Sequence, residues 1–182
     1  FRQPNVRVDL RLAEGDIGEG DTMRATAEGR YLFGAPVGNT AARWTLTRDG
    51  SASMPTRWEQ FTFTGVDAVS RAGTVDTGEV TLNAEGTAQL SARMALSSTQ
   101  RERATLEVTV RDSSGQETSA WRTFTAYPGD YEVGVRSGSN WVEGGAPLDL
   151  DAIVIDHAGN PVAGRTVQAR ILREGWHTYW EW

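Results

Sequence analysis

Apolar and polar residues alternate with a period of two along most of this chain. The first such segment, Val6–Leu12, places valine or leucine at every second position and a charged residue between them. This alternation is typical of a strand with one buried face and one solvated face. The same pattern predicts further strands at residues 22–33, 42–48, 79–83, 88–96, 106–110 and 118–126. No segment of about ten or more residues carries a helical stripe ended by caps.

Between these segments the pattern stops or slips. Residues 14–21 and 49–56 are rich in small and acidic residues, which predicts loops. Residues 65–76 show little pattern, and we expect a loop there as well. Around residues 58–63 the parity of the apolar positions changes, so we expect a strand with a bulge or short break. About seven or eight short strands, with turn residues between them, predict a β-sandwich or a small barrel.

One stretch of the sequence occurs twice, 125 positions apart. Gly34 and Pro36 have their counterparts in Gly159 and Pro161. Upstream, without a gap, the apolar positions 6, 8, 10, 23 and 25 correspond to positions 131, 133, 135, 148 and 150. Glycine allows positive φ and proline stops a β-ladder, so each copy predicts a strand, a tight turn and a strand. An ungapped match over about forty residues predicts two copies of one module.

The repeat divides the chain into two predicted domains. Residues 1–126 form a complete β-sandwich, and residues 127–182 form the N-terminal part of a second, homologous one. A module of about 125 residues buries roughly two thirds of its unfolded surface and can fold alone. The shorter second part would leave an open edge and half a core, so we expect further residues or another chain to complete it. The joint, Tyr127–Asp130, is too short to act as a flexible linker.

Composition narrows the classes of function. The 182 residues carry a net charge of −6, and all 18 basic residues are arginine, with no basic run. Nucleic-acid binding requires clustered positive charge, so we expect no nucleic-acid partner. No apolar stretch approaches the roughly 18 residues of a membrane span, and we expect no direct membrane insertion. The absence of cysteine excludes disulfides and thiolate chemistry from this stretch.

Few residues have catalytic or metal-binding potential. His157 lies in the repeated turn, where we expect a solvated side chain, and His177 has no partner at metal-ligand spacing. The glycines of residues 15–20 lack the helix and lysine of a phosphate-binding loop. Three acidic residues are predicted on the outward face of a strand, with calcium binding as the alternative. These are Asp149, Asp151 and Asp156. We therefore assign no catalytic, cofactor-binding or metal-binding residue, and no cofactor.

Aromatic residues are concentrated near the end of the chain. The cluster comprises Trp176, Tyr179, Trp180 and Trp182, with Trp141 upstream. Leaving all of them in water would be costly, since each buries about 150–250 Å² when packed. Three roles remain open: the core of the second module, a contact with a neighbouring domain, or a stacking platform for sugar. Adjacent residues of a strand point to opposite faces, which disfavours one flat platform.

These motifs together resemble those of a known family. They run in the order P-x-V-x-V-x-L, R-Y-L-F-G-A-P-V, P-G-D-Y-x-V-G-V and G-N-P-V-A-G-R-x-V. This order resembles the macroglobulin-type domains of the alpha-2-macroglobulin and complement family, and most of all its bacterial members. The resemblance covers nearly the whole chain. It implies tandem antiparallel β-sandwiches of the immunoglobulin or fibronectin-III kind. It also implies that the chain comprises the third domain of the N-terminal ring and the start of the fourth.

The resemblance also implies a function. Members of this family are protease inhibitors that expose a bait segment, and cleavage of the bait triggers closure around the attacking protease. Many carry a thioester in a Cys-x-Glu-Gln motif, but this chain has no cysteine and no evident bait segment. The implied role is therefore a non-enzymatic scaffold, located in the periplasm or cell envelope. Its implied partners are neighbouring macroglobulin-type domains of the same chain and, through the full-length molecule, target proteases.

A second class of function remains as the alternative. The chain would then be an immunoglobulin-like surface adhesin or a carbohydrate-binding tandem module. A sugar affinity that is lost on replacing Trp180 would favour this alternative. A thioester or bait segment downstream in the full-length protein would favour the inhibitor.

Overall fold

The structure is a computed structural model, and it describes residues 5–65, 68–139 and 141–171. In these residues the predicted all-β class is confirmed, and the one helical element is a 3₁₀ turn at Thr56–Trp58. No helix in the described ranges is long and apolar enough to cross a bilayer. The strands are β1 (Val6–Leu12), β2 (Ile17–Gly18), β3 (Thr22–Tyr31), β4 (Ala41–Ser51), β5 (Gly73–Thr81), β6 (Thr87–Arg93), β7 (Glu102–Arg111), β8 (Glu117–Tyr127), β9 (Glu132–Ser137) and β10 (Leu150–Ile155).

Strands β1 to β8 form two sheets that enclose one hydrophobic core. The smaller sheet has the order β1-β3-β6, and the larger has the order β2-β8-β7-β4-β5. The pairings are antiparallel except for the two-residue strand β2, which runs parallel to β8. The alternation places Leu10 and Met23 of one sheet, and Leu46 and Leu106 of the other, at full burial. Each such side chain stabilises the fold by about 1.5–3 kcal/mol, so the inward positions hold the two sheets together.

Three local predictions were wrong. The segment around residues 58–63 is not a strand: the chain makes the 3₁₀ turn and then one isolated bridge, between Thr62 and Val135. The predicted loop at 14–21 contains β2, where Ile17 is only 1% exposed. The predicted loop at 65–76 overlaps the start of β5. That strand is at the edge of the sheet and has no fully buried residue, and only its end fell within the predicted strand at 79–83.

A second hairpin follows the sandwich and repeats its first hairpin. In the first hairpin β1 pairs with β3, and Val8 lies opposite Gly29. In the second hairpin β9 pairs with β10, and Val133 lies opposite Val154. Each residue of the second pair is 125 positions after its counterpart in the first. The two hairpins therefore have the same antiparallel register.

The turns of the two hairpins also repeat. The amide of Gly34 donates to the carbonyl of Tyr31, and the amide of Gly159 donates to the carbonyl of Asp156, both at 2.8 Å. Both glycines have positive φ, +95° and +78°, which side chains of L-residues rarely allow. The proline that follows makes an isolated bridge in each case, with Arg30 in the first turn and with Ile155 in the second. The repeated glycine and proline thus specify the same turn twice.

Candidate functional site: the joint

The segment that connects the sandwich to the second hairpin is packed against both. Tyr127 ends β8, and its carbonyl accepts a hydrogen bond of 2.8 Å from the amide of Glu19. The residue is only 7% exposed, and its ring stacks on the His157 ring, with centroids 3.8 Å apart and planes inclined by 14°. The Nε2 of His157 lies 2.8 Å from the carbonyl oxygen of Gly129. The turn of the second hairpin is thereby fixed to the joint.

A buried ion pair crosses the joint. Arg101 and Glu132 make a two-point contact, with Nε at 3.0 Å from Oε1 and Nη2 bonded to Oε2. Their side chains are 7% and 5% exposed. The guanidinium also lies over the ring of Tyr127, 5.2 Å from its centroid. Since a buried charge is tolerated only with its partner, this pair favours one arrangement of the second hairpin on the sandwich.

Residues 55–64, called the clamp below, hold the tip of the second hairpin. The indole Nε1 of Trp58 donates to the carbonyl of Gly159 at 2.8 Å. One guanidinium nitrogen of Arg57 lies 3.2 Å from both the carbonyl of Ala158 and the side-chain oxygen of Asn160. A Cβ at Gly159 would lie 2.9 Å from the ring of Pro55, closer than van der Waals contact allows. The clamp therefore fits a glycine at the tip.

The second half of the clamp lies along β9. The amides of Thr62 and Val135 donate to each other's carbonyls, at 2.8 and 2.9 Å. The ring of Phe63 covers Gly134, where an added Cβ would lie 2.6 Å from a ring carbon. The guanidinium of Arg136 lies over the ring of Phe61, 5.0 Å from its centroid. The outward face of β9 is thus covered by the clamp.

Two titratable groups of this region have shifted pKa values. Burial raises the pKa of the Tyr127 phenol, and Asp16 and Glu132 act in the same direction while Arg101 opposes them. In the turn, the amide of Asn160 donates to the carboxylate of Asp156 at 2.7 Å. That hydrogen bond is the main cause that lowers the pKa of Asp156. Near neutral pH the Tyr127 phenol therefore stays protonated and the Asp156 carboxylate stays ionised, which are the forms that their contacts in the joint require.

Of the residues singled out from the sequence, those that the structure describes do not converge on a catalytic or metal site. His157 is not a solvated turn residue as predicted, because the Tyr127 ring and the Gly129 carbonyl hold it. The backbone amide of Gly18 donates to the carboxylate of Asp21 within a tight turn.

The three acidic residues are also apart. Asp151 pairs with Arg136 at 2.6 Å on the strand surface, whereas Asp156 accepts bonds from Asn160 in the turn. Asp149 precedes β10, which begins at Leu150. The described residues contain no group of three candidate metal ligands. His177, Trp176, Tyr179, Trp180 and Trp182 lie outside the described residues, and Trp141 is 90% exposed.

Sequence analysis missed the residues that make the joint. Glu132 occupies a polar position of an alternating strand, which normally faces water. Arg101 lies in a polar stretch between two strands. One available signal was Trp58, a large aromatic residue at the start of the segment whose alternation slips, since such a side chain normally finds a surface to pack on.

The geometry defines a class of protein: an antiparallel β-sandwich module joined through packed contacts to a second hairpin with the register of its own first hairpin. Comparison with known proteins gives the family. The family model described as the bacterial alpha-2-macroglobulin MG5 domain matches residues 5–127. The chain belongs to the bacterial alpha-2-macroglobulin family. The position of this segment in the N-terminal ring, as its third domain and the start of the fourth, stays a prediction.

Individual relatives agree with this assignment. An alpha-2-macroglobulin homolog of Nostoc sp. strain PCC 7120 is 25% identical over 179 residues, covering 94% of this chain and 9% of the homolog. The native conformation of Escherichia coli alpha-2-macroglobulin superimposes with a TM-score of 0.65 at 17% identity, covering 88% of this chain and 11% of that one.

Two further solved structures show the same fold. The E. coli protein activated by porcine elastase has a TM-score of 0.66 at 17% identity, covering 87% of this chain and 15% of that one. Salmonella alpha-2-macroglobulin reacted with methylamine has a TM-score of 0.65 at 15% identity, covering 88% and 12%. The chain thus spans about a tenth of the length of these relatives.

Proposed function

We propose that this chain is a scaffold segment of a bacterial alpha-2-macroglobulin-like inhibitor that traps a broad range of proteases after cleavage of a bait segment. The observation that carries the proposal is the joint. There the ion pair of Arg101 and Glu132, the stacked rings of Tyr127 and His157, and the clamp couple two modules into one packed unit.

This coupling suits a role in transmitting movement. A trap that is triggered at one place and closes at another needs connecting parts that rotate as rigid bodies. A flexible linker would absorb the movement, whereas a joint with buried contacts passes it to the next module. The E. coli relative has been solved after activation by elastase and by trypsin, which supports a family response to proteases.

The domain division and location belong to the same proposal. Residues 1–126 would form the complete macroglobulin-type sandwich, and residues 127–182 the N-terminal part of a second one. The described part of that second module exposes apolar residues of β9, with Val133 and Val135 each 42% exposed, as expected of half a core. We place the full-length protein in the periplasm or cell envelope and assign this segment a non-enzymatic role. Its partners would be neighbouring macroglobulin-type domains and, through the whole molecule, target proteases.

The test is a trapping assay on the full-length protein. The protein is mixed with trypsin, and hydrolysis of a small peptide substrate is compared with digestion of a large protein substrate. An enclosed protease still reaches the small substrate but not the large one. We expect digestion of the large substrate to fall strongly while most of the peptide hydrolysis remains.

The joint is then tested in the same assay. Glu132→Ala removes one partner of the buried pair, and we expect weaker protection of the large substrate. Arg43→Ala, which breaks the exposed pair with Glu117 on the larger sheet, serves as the control for trapping. If the wild-type protein leaves both activities unchanged, the inhibitor function is wrong. If Glu132→Ala traps as well as the wild type, the joint does not transmit closure.

A further inference from the structure

The two equivalent hairpins differ in what covers their outward faces. In the second hairpin, Glu132 contacts Arg101 and Gly134 is covered by Phe63. The counterparts of Glu132 and Gly134 in the first hairpin are Arg7 and Asp9. These two pair with each other at the surface, where their side chains are 71% and 34% exposed. Within residues 5–65, 68–139 and 141–171, the first hairpin therefore has an open face at the position where the second hairpin is held.

The tips of the hairpins show the same difference. Gly159 lies against Pro55 of the clamp, whereas an added Cβ at Gly34 would have no atom of the described residues within 4 Å. Beside Gly34, Leu32 and Phe33 are 68% and 81% exposed. The ring of Phe33 stacks on Tyr31, with centroids 5.2 Å apart. Two adjacent large apolar side chains are uncharacteristic of a solvated turn, and they indicate a surface that is covered by a partner.

A groove of about 430 Å³ joins these two features. It is lined by outward residues of β1, among them Arg7, Asp9 and Arg11, and by the turn residues Leu32 and Gly34. The counterparts of Arg7 and Asp9 in the second hairpin face Arg101 and the clamp. The groove thus occupies the place that the clamp fills on the second hairpin.

We propose that the outward face of the first hairpin binds another macroglobulin-type module, which precedes it in the same polypeptide and sits on it as the sandwich described above sits on the second hairpin. This proposal rests on the scaffold role, since it extends the line of modules in the other direction. The clamp of the preceding module would fill the groove and cover Leu32 and Phe33. Because Arg7 stands at the position of Glu132, we expect a carboxylate in the occupant where Arg101 stands here.

Two observations favour this occupant over a second copy of the chain. The clamp of this chain already contacts its own second hairpin, so a second copy has no free clamp to offer. The relatives are roughly ten times longer than this chain, which leaves room for preceding modules in the same polypeptide. The mixed apolar and charged character of the face also fits an interface between modules of one protein.

Photo-crosslinking in the full-length protein tests the proposal. Phe33 is replaced by the photoreactive residue benzoylphenylalanine, and crosslinked peptides are identified by mass spectrometry after irradiation. The matched control carries the same residue at Trp121, which is 62% exposed on a different sheet. We expect position 33 to crosslink to a peptide upstream of this segment, at the counterpart of the clamp, and position 121 not to do so. A crosslink to a downstream peptide or to a second molecule would overturn the proposal.

Thiol labelling provides a second measurement that does not depend on crosslinking yield. In the native full-length protein, Leu32→Cys should react with a maleimide at least about tenfold more slowly than Trp121→Cys, because a docked module protects it. Equal rates would contradict the docking. Neither measurement involves a protease, so a protein that traps but leaves position 32 open would refute only this inference. A protected position in a protein that does not trap would refute only the inhibitor function.

Discussion

The first and second hairpins have the same register and the same turn, yet opposite faces of them are buried. In the first hairpin the inward face is in the core of the sandwich, and Val8 is 9% exposed. Its counterpart in the second hairpin, Val133, is 42% exposed. On the outward face the first hairpin is instead the more exposed of the two, since the side chain of Arg7 is 71% exposed and that of Glu132 is 5% exposed.

This comparison separates local structure from environment. The alternation, the glycine with positive φ and the proline recur in both copies, and they give the same backbone in both. Burial is decided by which elements lie next to the hairpin, and these differ between the copies. Residues at equivalent positions can therefore be mutated in pairs, one member serving as the control for the other.

The largest difference is expected between Glu132→Ala and Arg7→Ala. Removing Glu132 leaves the Arg101 charge buried without its partner, which costs about 3–5 kcal/mol. Removing Arg7 breaks an exposed pair worth less than about 1 kcal/mol. Hydrogen exchange of the Thr62 and Val135 amides in the 182-residue chain reports opening of the joint directly. Comparable acceleration of exchange in both variants would show that the buried pair does not hold the joint.

The inward faces provide the next comparison, Val8→Ala against Val133→Ala. At the buried position the loss of two methyl groups and the resulting cavity should lower the free energy of unfolding by about 2–3 kcal/mol. At the exposed position the loss should stay below about 1 kcal/mol, because water already contacts the side chain. Urea unfolding of the 182-residue chain measures both. A large loss at Val133 would mean that other residues of the chain already cover the second hairpin.

The turns offer a third pair, Gly34→Ala and Gly159→Ala. Both substitutions place a side chain at positive φ, which costs roughly 1–2 kcal/mol each. At Gly159 the new methyl group also meets Pro55, so the tip must move away from the clamp. We expect Gly159→Ala to cost about 1–2 kcal/mol more than Gly34→Ala in the opening of the joint, measured by hydrogen exchange. Equal costs would indicate that the clamp adapts to a larger tip.

Much of the fold could be predicted from the sequence because it depends on local patterns. Strand β1, the turn at Gly34 and its repeat at Gly159 follow from alternation and from the properties of glycine and proline. The first part of β5, in the predicted loop at 65–76, and the short strand β2 could not be predicted in this way. They are defined by the strands that they join, and their own residues carry little periodicity.

The candidate site was beyond sequence reasoning for a different reason. Arg101 and Glu132 are far apart in sequence, and each alone is typical of a solvated position. What buries them is the position of the second hairpin on the sandwich, which depends on the whole fold. His157 is a similar case, because a turn residue becomes half-buried only when the Tyr127 ring lies beside it.

The smallest expected effect concerns pH and again distinguishes the second hairpin, whose turn contacts Tyr127, from the first. Because burial raises the pKa of Tyr127 in the folded state, this group stabilises the joint fully at pH values below the ordinary tyrosine pKa, about 10. That contribution is lost as the pH rises through the raised pKa, when the phenolate forms.

Titration followed by the ultraviolet absorbance of phenolate should show one late-titrating tyrosine that is missing in Tyr127→Phe. Exchange of the Val135 amide should likewise show a steeper alkaline opening in the wild type than in Tyr127→Phe. Identical pH profiles would mean that the phenol is solvated and that its ionisation is not coupled to the opening of the joint.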